Sequence, residues 1–171
     1  MSKTNNKFKK ILYLFLIITI LFIFDNTIIT FFAIKNIYPS VLFVFIVCYS
    51  MINGYGEATI IGVITGVLQD IYFPGVMGIN MLINMLICLM AAKIGKGIFK
   101  DKVIIPIFST FLLSLLKSIA IFAIFILIGA SNNFLHLIIY KAIYEMIVAL
   151  LIYRIILKFS ETKTIKKEWR F

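Results

Sequence analysis

The stretch GYGEATIIGVITGVLQDIYFPGVMG, residues 54–78, decides how this chain folds. Ala58, Gly62 and Gly66 are spaced by four residues and Asp70 continues the series, so a helix places all of them on one face. Small residues at this spacing let a second helix approach backbone to backbone, and such close packing is a main source of helix association in lipid. The stretch therefore predicts a helix-packing groove that ends in a carboxylate.

The composition places the whole chain in a membrane. Hydrophobic residues make up 63% of it, charged residues 14%, and the mean hydropathy is +1.10. A membrane span needs about 20 apolar residues, with a range of about 17 to 25. Such runs predict one transmembrane domain over residues 1–171, an all-α bundle of six spans with short basic tails at 1–10 and 158–171. The predicted spans are 11–34, 37–53, 57–73, 78–95, 103–129 and 134–157.

The basic residues predict the orientation of these spans. Lysine clusters precede the first span and separate the fourth from the fifth, and a third basic cluster closes the chain. Lysine and arginine in short loops are retained on the cytoplasmic side, and six spans place all three clusters on that side. Of the 17 basic residues, Lys35 falls in a predicted outer loop, and Lys117 and Lys141 fall within spans. The sequence thus predicts that both termini are cytoplasmic.

The net charge of +10 is explained by this sorting, because the charges lie at membrane edges and not on one soluble face with base-stacking aromatics. We therefore expect no nucleic-acid partner. The basic tail is primarily an orientation signal, and both it and the loop after the fourth span are able to contact anionic lipid headgroups.

Nothing in the sequence suggests catalysis. Cys48 and Cys88 fall within predicted spans, no CxxC motif occurs, and His136 is the single histidine. Metal binding by this chain alone is therefore not expected. The sequence contains no P-loop and no nucleophile with a base and an orienting acid. We expect a protein that is not an enzyme and that carries no cofactor.

Four charged residues within the predicted spans stand out, namely Asp25, Lys117, Lys141 and Glu145. A charge at mid-bilayer costs about 2.5 to 3.5 kcal/mol on insertion scales, so such residues are usually paired or functional. Lys141 and Glu145 are four residues apart and are expected to neutralise each other on one helix. Lys117 has no acid on its own helix and is expected to face Asp25, Asp70 or Glu145 across the bundle. A proton or ion pathway is the alternative, although coupled carriers usually have more midplane acids.

Two polar stripes repeat at the same spacing: Asn80, Asn84 and Cys88 on the fourth span, and Thr110, Ser114 and Ser118 on the fifth. Side chains of these types form hydrogen-bonding seams between membrane helices. If both stripes faced one cavity, they would instead line a small-ligand site. The sequence leaves these two interpretations open.

The order of these features resembles the bacterial rod shape-determining protein MreD family. The resemblance includes a basic start, Pro39 before the second span, the GxxxG motif of Gly62 and Gly66 followed by Asp70, and Gly78 opening the fourth span. The basic loop after the fourth span and the closing segment YEMIVALLIYRIILKF, residues 144–159, agree as well.

Two positions depart from the pattern of that family. The family usually has an acid directly after the proline, where this chain has Ser40. Asp25 and Asn26 occupy a zone where the family commonly has a glutamine.

The resemblance implies a non-enzymatic scaffold of the cell-elongation machinery in the bacterial cytoplasmic membrane. It implies association with MreC, with the MreB filament, and with the peptidoglycan polymerase RodA and its transpeptidase. It also implies a fold similar to the substrate-binding subunits of energy-coupling-factor vitamin transporters. The groove of Ala58, Gly62 and Gly66 would then pack either a helix of this chain or the single span of MreC.

Two other functions are alternatives. A vitamin-binding transporter subunit would need polar and aromatic residues converging on an outer cavity, whereas the outer loops near 71–77 and 130–133 are short and nearly uncharged. A proton-coupled carrier would be expected to show an internal repeat, which this sequence does not show.

Overall fold

The computed structural model describes residues 2–34, 37–72, 77–96, 103–129 and 135–160. Lys35, the basic positions of 97–102, most of both predicted outer loops and the tail after Ser160 lie outside the described residues. The described part is all-helical and contains six α-helices, which confirms the predicted fold class at this level. The helices are α1 Ser2–Thr27, α2 Val41–Asn53, α3 Tyr55–Tyr72, α4 Ile79–Lys96, α5 Ile104–Leu127 and α6 Leu135–Ser160.

The region between α1 and α2 differs from the expected helix pair. The α-helix of the first predicted span ends at Thr27, and a 3-10 helix, Ile29–Phe32, and extended backbone at Ala33 follow. Residues 27–30 are all β-branched, and such residues are weaker helix formers than unbranched ones. The second helix begins at Val41 rather than at 37, because Pro39 disfavours helical backbone before it.

Among the described residues, three helical segments are long and apolar enough to cross a membrane, namely Lys10–Thr27, Ile79–Lys96 and Ile104–Leu127. Helix α2 is strongly apolar but has 13 residues, and at about 1.5 Å per residue it is shorter than a hydrocarbon core of about 30 Å. Helices α3 and α6 carry glycines or charged residues that lower their hydropathy. The helices fit a multi-pass membrane protein, and the count of six spans stays a prediction.

Helix α2 forms the centre of the bundle. Every residue from Leu42 to Met51 is buried, and α2 contacts each of the other five α-helices. A helix that is apolar on all sides is stable only when it is surrounded by other helices. The other helices therefore pack around α2, and the most extensive pair among them is α3 with α4.

The helices run alternately up and down, so the bundle has two distinct ends. At one end, here named the cavity end, the later turns of α1, α3 and α5 meet the first turns of α2, α4 and α6 around a polar cavity. At the other end, here named the basic end, Lys10 of α1 contacts the first turn of α3, and Ser160 of α6 contacts Asn53 of α2.

Candidate functional site

The glycine groove of α3 is filled by α4 of the same chain. A Cβ built on Gly62 would lie 2.8 Å from the Cα of Met85 and 2.9 Å from the carbonyl oxygen of Asn84. A Cβ on Gly66 would collide with the backbone of Met81. Since the contacted atoms are backbone atoms, no rotamer change would relieve these clashes. Ala58 is also fully buried, and the whole face therefore serves close packing within the bundle.

Asp70 lies at the end of this groove and caps α4. Its Oδ2 accepts hydrogen bonds from the backbone N–H groups of Gly78 and Met81, both at 3.0 Å. Its Oδ1 accepts from the backbone and side-chain nitrogens of Asn80, again at 3.0 Å. The first backbone N–H groups of a helix have no partner within the helix, and a carboxylate there is also favoured by the helix dipole. This explains how Asp70 is accommodated although it is buried.

Asp25 makes the same kind of contact with α2. Its Oδ1 accepts from the backbone N–H of Val41 at 2.9 Å, and its Oδ2 accepts from the N–H of Leu42 at 3.1 Å and from Ser40 Oγ at 2.7 Å. Ser40 Oγ in turn accepts from the N–H of Phe43 at 3.0 Å. The start of α2 is thus capped by a serine of its own segment and by an acid from α1.

The four charged residues predicted within spans are brought together by the fold. Asp25, Lys117, Lys141 and Glu145 all line one polar cavity of about 160 Å³ at the cavity end. The complete lining consists of Phe22, Asp25, Asn26, Tyr38, Ser40, Leu42, Phe43, Gln69, Asn80, Lys117, Ser118, Ile121, Lys141 and Glu145. The cavity is the candidate functional site, because it gathers charges of both signs among membrane helices.

Lys117 shares the cavity with two of the three acids that were expected to face it, but its direct hydrogen bond goes to a residue that was not among them. Its Nζ donates a long hydrogen bond of 3.4 Å to Gln69 Oε1 and lies 4.9 Å from the centre of the Phe43 ring. Asp25 and Glu145 share the cavity with Lys117, whereas Asp70 faces α4 and is not part of the lining. Gln69 was not singled out in the sequence, because an uncharged amide next to an acid gives no signal of its own.

Lys141 and Glu145 do not form the expected ion pair. No nitrogen–oxygen contact within 4.0 Å joins these two described residues. Glu145 is 2% exposed, and its Oε1 accepts from the backbone N–H of Ser40 at 3.4 Å. The carboxylate is therefore directed to the start of α2, near Asp25, although the spacing of four residues places Lys141 on the same face of α6.

The two polar stripes reach the cavity with one residue each, Asn80 from α4 and Ser118 from α5. Deeper in the bundle, Asn84 Nδ2 donates to Gln69 Oε1 at 2.9 Å, so Gln69 links α4 to the cavity. Asn84 Oδ1 and Ser114 Oγ are buried and have no hydrogen-bond partner within the part of the chain that the structure describes. The stripes are thus neither a complete seam between helices nor a complete wall of the cavity.

The basic end contains a network that the sequence did not reveal. Lys10 Nζ contacts Glu57 Oε1 at 2.5 Å, and the Tyr49 hydroxyl donates to Glu57 Oε2 at 2.6 Å. Lys96 Nζ lies 4.3 Å from the centre of the Tyr55 ring. These contacts join α1, α2, α3 and α4. The one sequence feature that could have indicated this network is Glu57, the acid in the first turn of α3.

Comparison with protein-family models gave a match over most of the chain. The family model described as rod shape-determining protein MreD matches residues 7–163 of the 171-residue chain. Comparison with curated proteins and with solved structures gave no match. The matched range includes the capped start of α2, the α3–α4 groove and the cavity. Because the match covers nearly the whole chain, this protein belongs to the rod shape-determining protein MreD family.

Proposed function

We propose that this protein is a non-enzymatic scaffold that maintains rod shape by binding MreC and by linking the MreB filament to peptidoglycan synthesis. RodA and its transpeptidase are the proposed partners in peptidoglycan synthesis. The observation that carries this proposal is the family match over residues 7–163. Members of the MreD family act in rod shape determination and are inner-membrane proteins not known as enzymes.

The packing of the bundle supports a scaffold role, because a scaffold protein must present a fixed surface to its partners. Helix α2 is buried along its length, and Asp25 and Asp70 each fix the start of one helix to the end of another. Lys10 and Glu57 join α1 to α3 at the basic end. A core of this kind favours rigid presentation of the outer faces of the bundle.

The glycine groove supports a particular position for MreC. The groove had two proposed occupants, another helix of this chain or the MreC span, and α4 occupies it in the structure. We therefore propose that the MreC span binds an outer face of the bundle and not the groove. Exposed apolar side chains on α1, such as Leu12, Leu16 and Ile20, offer one such face.

The proposed orientation places the basic end in the cytoplasm. Lys93 and Lys96 lie in the last turn of α4, and Lys158 lies in the last turn of α6. Basic residues at this position attract anionic headgroups of the cytoplasmic leaflet, at about 1 kcal/mol each. We propose that these residues, with the loop and tail that follow them, contact anionic lipid.

A similarity of the fold to the substrate-binding subunits of energy-coupling-factor transporters remains part of the proposal. The cavities argue against vitamin binding itself. The polar cavity, about 160 Å³, is below the roughly 300 to 1,000 Å³ of pockets for drug-sized ligands. A larger groove of about 700 Å³ beside α6 is lined mainly by apolar residues such as Ile143 and Ile147, which suits acyl chains better than a polar vitamin.

Co-purification of MreC tests the scaffold proposal. The tagged protein is solubilised from membranes in mild detergent, and the retained MreC is quantified against an unrelated multi-pass protein with the same tag. We expect MreC to be retained by the wild type and by Gly56→Ala, a change for which the structure has space. Absence of MreC from well-folded wild-type protein would contradict the proposal.

A further inference from the structure

We propose that the cavity end binds one zwitterionic phospholipid, with its head group in the polar cavity and an acyl chain in the apolar groove beside α6. The polar cavity contains two carboxylates and two ammonium groups. The groove of about 700 Å³, here named the α6 groove, is lined by Ile34, Ile37, Leu137, Tyr140, Ile143, Tyr144 and Ile147. The inference goes beyond the scaffold role and does not depend on it.

The polar cavity and the α6 groove are neighbours, because the same two segments line both. In the segment before α2, Ile37 lines the α6 groove and Tyr38 lines the polar cavity. On α6, Tyr144 lines the groove and Glu145 lines the cavity. Tyr38 is 43% exposed, so the wall of the cavity reaches the protein surface beside the groove. A polar and an apolar compartment side by side match an amphiphile, which would use both.

The charges of the polar cavity select the kind of head group. Its described lining contains Asp25 and Glu145 against Lys117 and Lys141, so the cavity is formally neutral. A head group with a net charge would leave one charge unbalanced among membrane helices, where such charges are costly. A head group without net charge keeps the balance, and the cavity therefore favours a neutral or zwitterionic lipid over an anionic one.

The positions of the two signs of charge favour a zwitterion. Glu145 accepts from the backbone N–H of Ser40 at 3.4 Å, and Asp25 accepts from that of Val41 at 2.9 Å. Both carboxylates thus face the start of α2, whereas Lys117 Nζ donates to Gln69 of α3. A head group with its ammonium toward the carboxylates and its phosphate toward the lysines would form charge-assisted hydrogen bonds at both ends.

The sizes of the two compartments agree with this lipid. The polar cavity, about 160 Å³, suits a primary ammonium better than the bulkier trimethylammonium of phosphatidylcholine, which has no N–H to donate. The α6 groove, about 700 Å³, lies within the roughly 300 to 1,000 Å³ of typical ligand pockets and has room for an acyl chain. Phosphatidylethanolamine is therefore the expected lipid.

The lining of the α6 groove favours an acyl chain over the membrane helix of a partner. Helices associate in lipid largely through small residues that allow close approach. The described lining consists of isoleucine, leucine and tyrosine and contains no small residue. The Tyr144 hydroxyl donates to the carbonyl oxygen of Phe32 at 3.0 Å and joins α6 to the 3-10 helix beside the groove. A flexible chain can follow such an uneven surface, and a helix cannot approach it closely.

The test uses full-length protein reconstituted in vesicles with equal amounts of phosphatidylethanolamine, phosphatidylcholine and phosphatidylglycerol. The protein is extracted in mild maltoside detergent, and native mass spectrometry identifies the lipids that it retains. We expect one retained phosphatidylethanolamine, about tenfold more abundant than either of the other two lipids. Absence of retained lipid, or equal retention of all three, would overturn the proposal.

Variants locate the lipid within the protein. Ile147→Trp should fill the α6 groove and lower the retention of phosphatidylethanolamine about tenfold. Ile139→Trp is the matched control, because Ile139 is also exposed on α6 and is not part of the described lining of the groove. The double variant Lys141→Gln and Glu145→Gln keeps the cavity neutral and should abolish the preference among the three lipids.

Each variant can also contradict the proposal. Retention unchanged in Ile147→Trp, or a preference unchanged in the folded double variant, would overturn it. A protein dimer that is present in the wild type and lost in Ile147→Trp would assign the groove to a second copy of the chain and would overturn it as well. If the double variant does not fold, Ile147→Trp and the preference of the wild type decide the result.

Discussion

Asp25 and Ser40 cap α2 as a pair, with the Ser40 hydroxyl donating to Asp25 Oδ2 at 2.7 Å. Ser40 directly follows Pro39, where the resemblance to the family implies an acid. In the structure, the carboxylate of Asp25 on α1 reaches the start of α2, although Asp25 does not neighbour Pro39 in the sequence. The two departures in the sequence thus have one joint explanation.

The first prediction concerns this cap. We expect Asp25→Ala to lower the free energy of unfolding by about 3 kcal/mol, because buried backbone N–H groups of Val41 and Leu42 lose a charged acceptor. Ser40→Asp in the Asp25→Ala background should restore much of that loss, since the acid returns beside the same N–H groups. Thermal unfolding in detergent measures both effects.

Ser40→Asp alone provides the control for this prediction. It would place two carboxylates next to each other and is therefore expected to be less stable than the wild type. The account of the cap would be wrong if Asp25→Ala unfolded at the wild-type temperature, or if the second change gave no recovery.

The second prediction concerns the α3–α4 groove. Gly66→Leu, alone or combined with Gly62→Leu, should destabilise the protein by about 2 kcal/mol or more, because the new side chain would meet the backbone of α4. Gly56→Ala on the same helix is the matched control. Nothing lies within 4 Å of a Cβ at Gly56, and alanine is the better helix former, so stability should be equal or slightly higher. Normal expression, melting temperature and MreC retention in the double leucine variant would refute the packing account.

The third prediction concerns the network at the basic end. A double-mutant cycle with Lys10→Met and Glu57→Gln should give a coupling energy of about 1 kcal/mol or more. The two side chains are 15% and 16% exposed, so solvent screens this pair less than an open surface pair. The same cycle with Arg154→Met, an exposed basic residue on α6, should show no coupling. Denaturant unfolding in detergent micelles measures these energies, and equal coupling in both cycles would contradict the assignment.

The sequence predicted contacts between neighbouring helices better than contacts between residues that are distant along the chain. The groove of Gly62 and Gly66 follows from a spacing of four residues, and its occupant, α4, is the next helix in the chain. The gathering of Lys117 with Asp25 required knowledge of which helices touch, which periodicity does not provide. Similarly, Glu57 meets Lys10 across 47 residues, and no local pattern indicates such a contact.

The expected pairing of Lys141 with Glu145 shows a second limit of sequence reasoning. The spacing places both residues on one helical face, but on a packed helix the neighbouring helices determine where each side chain points. Here the backbone N–H of Ser40, directly before α2, donates to the carboxylate of Glu145. A contact between helices thus takes the place of the ion pair that the spacing predicts within α6.

The fourth prediction concerns orientation. Reporter fusions at residue 1 and after residue 171 should both give cytoplasmic signals, because six spans, as predicted, would place the basic clusters on one side of the membrane. A fusion between α3 and α4 should give a periplasmic signal. Opposite locations for the two ends would exclude six spans.

The most direct test of the central claim is the shape of cells from which this protein is depleted. The length-to-width ratio is measured by microscopy after depletion, with the wild type, Gly56→Ala or the Gly62→Leu and Gly66→Leu double variant supplied from a second copy. We predict that depleted cells become round, that the wild type and Gly56→Ala restore rods, and that the double variant does not. Cells that stay rod-shaped without the protein would contradict the account.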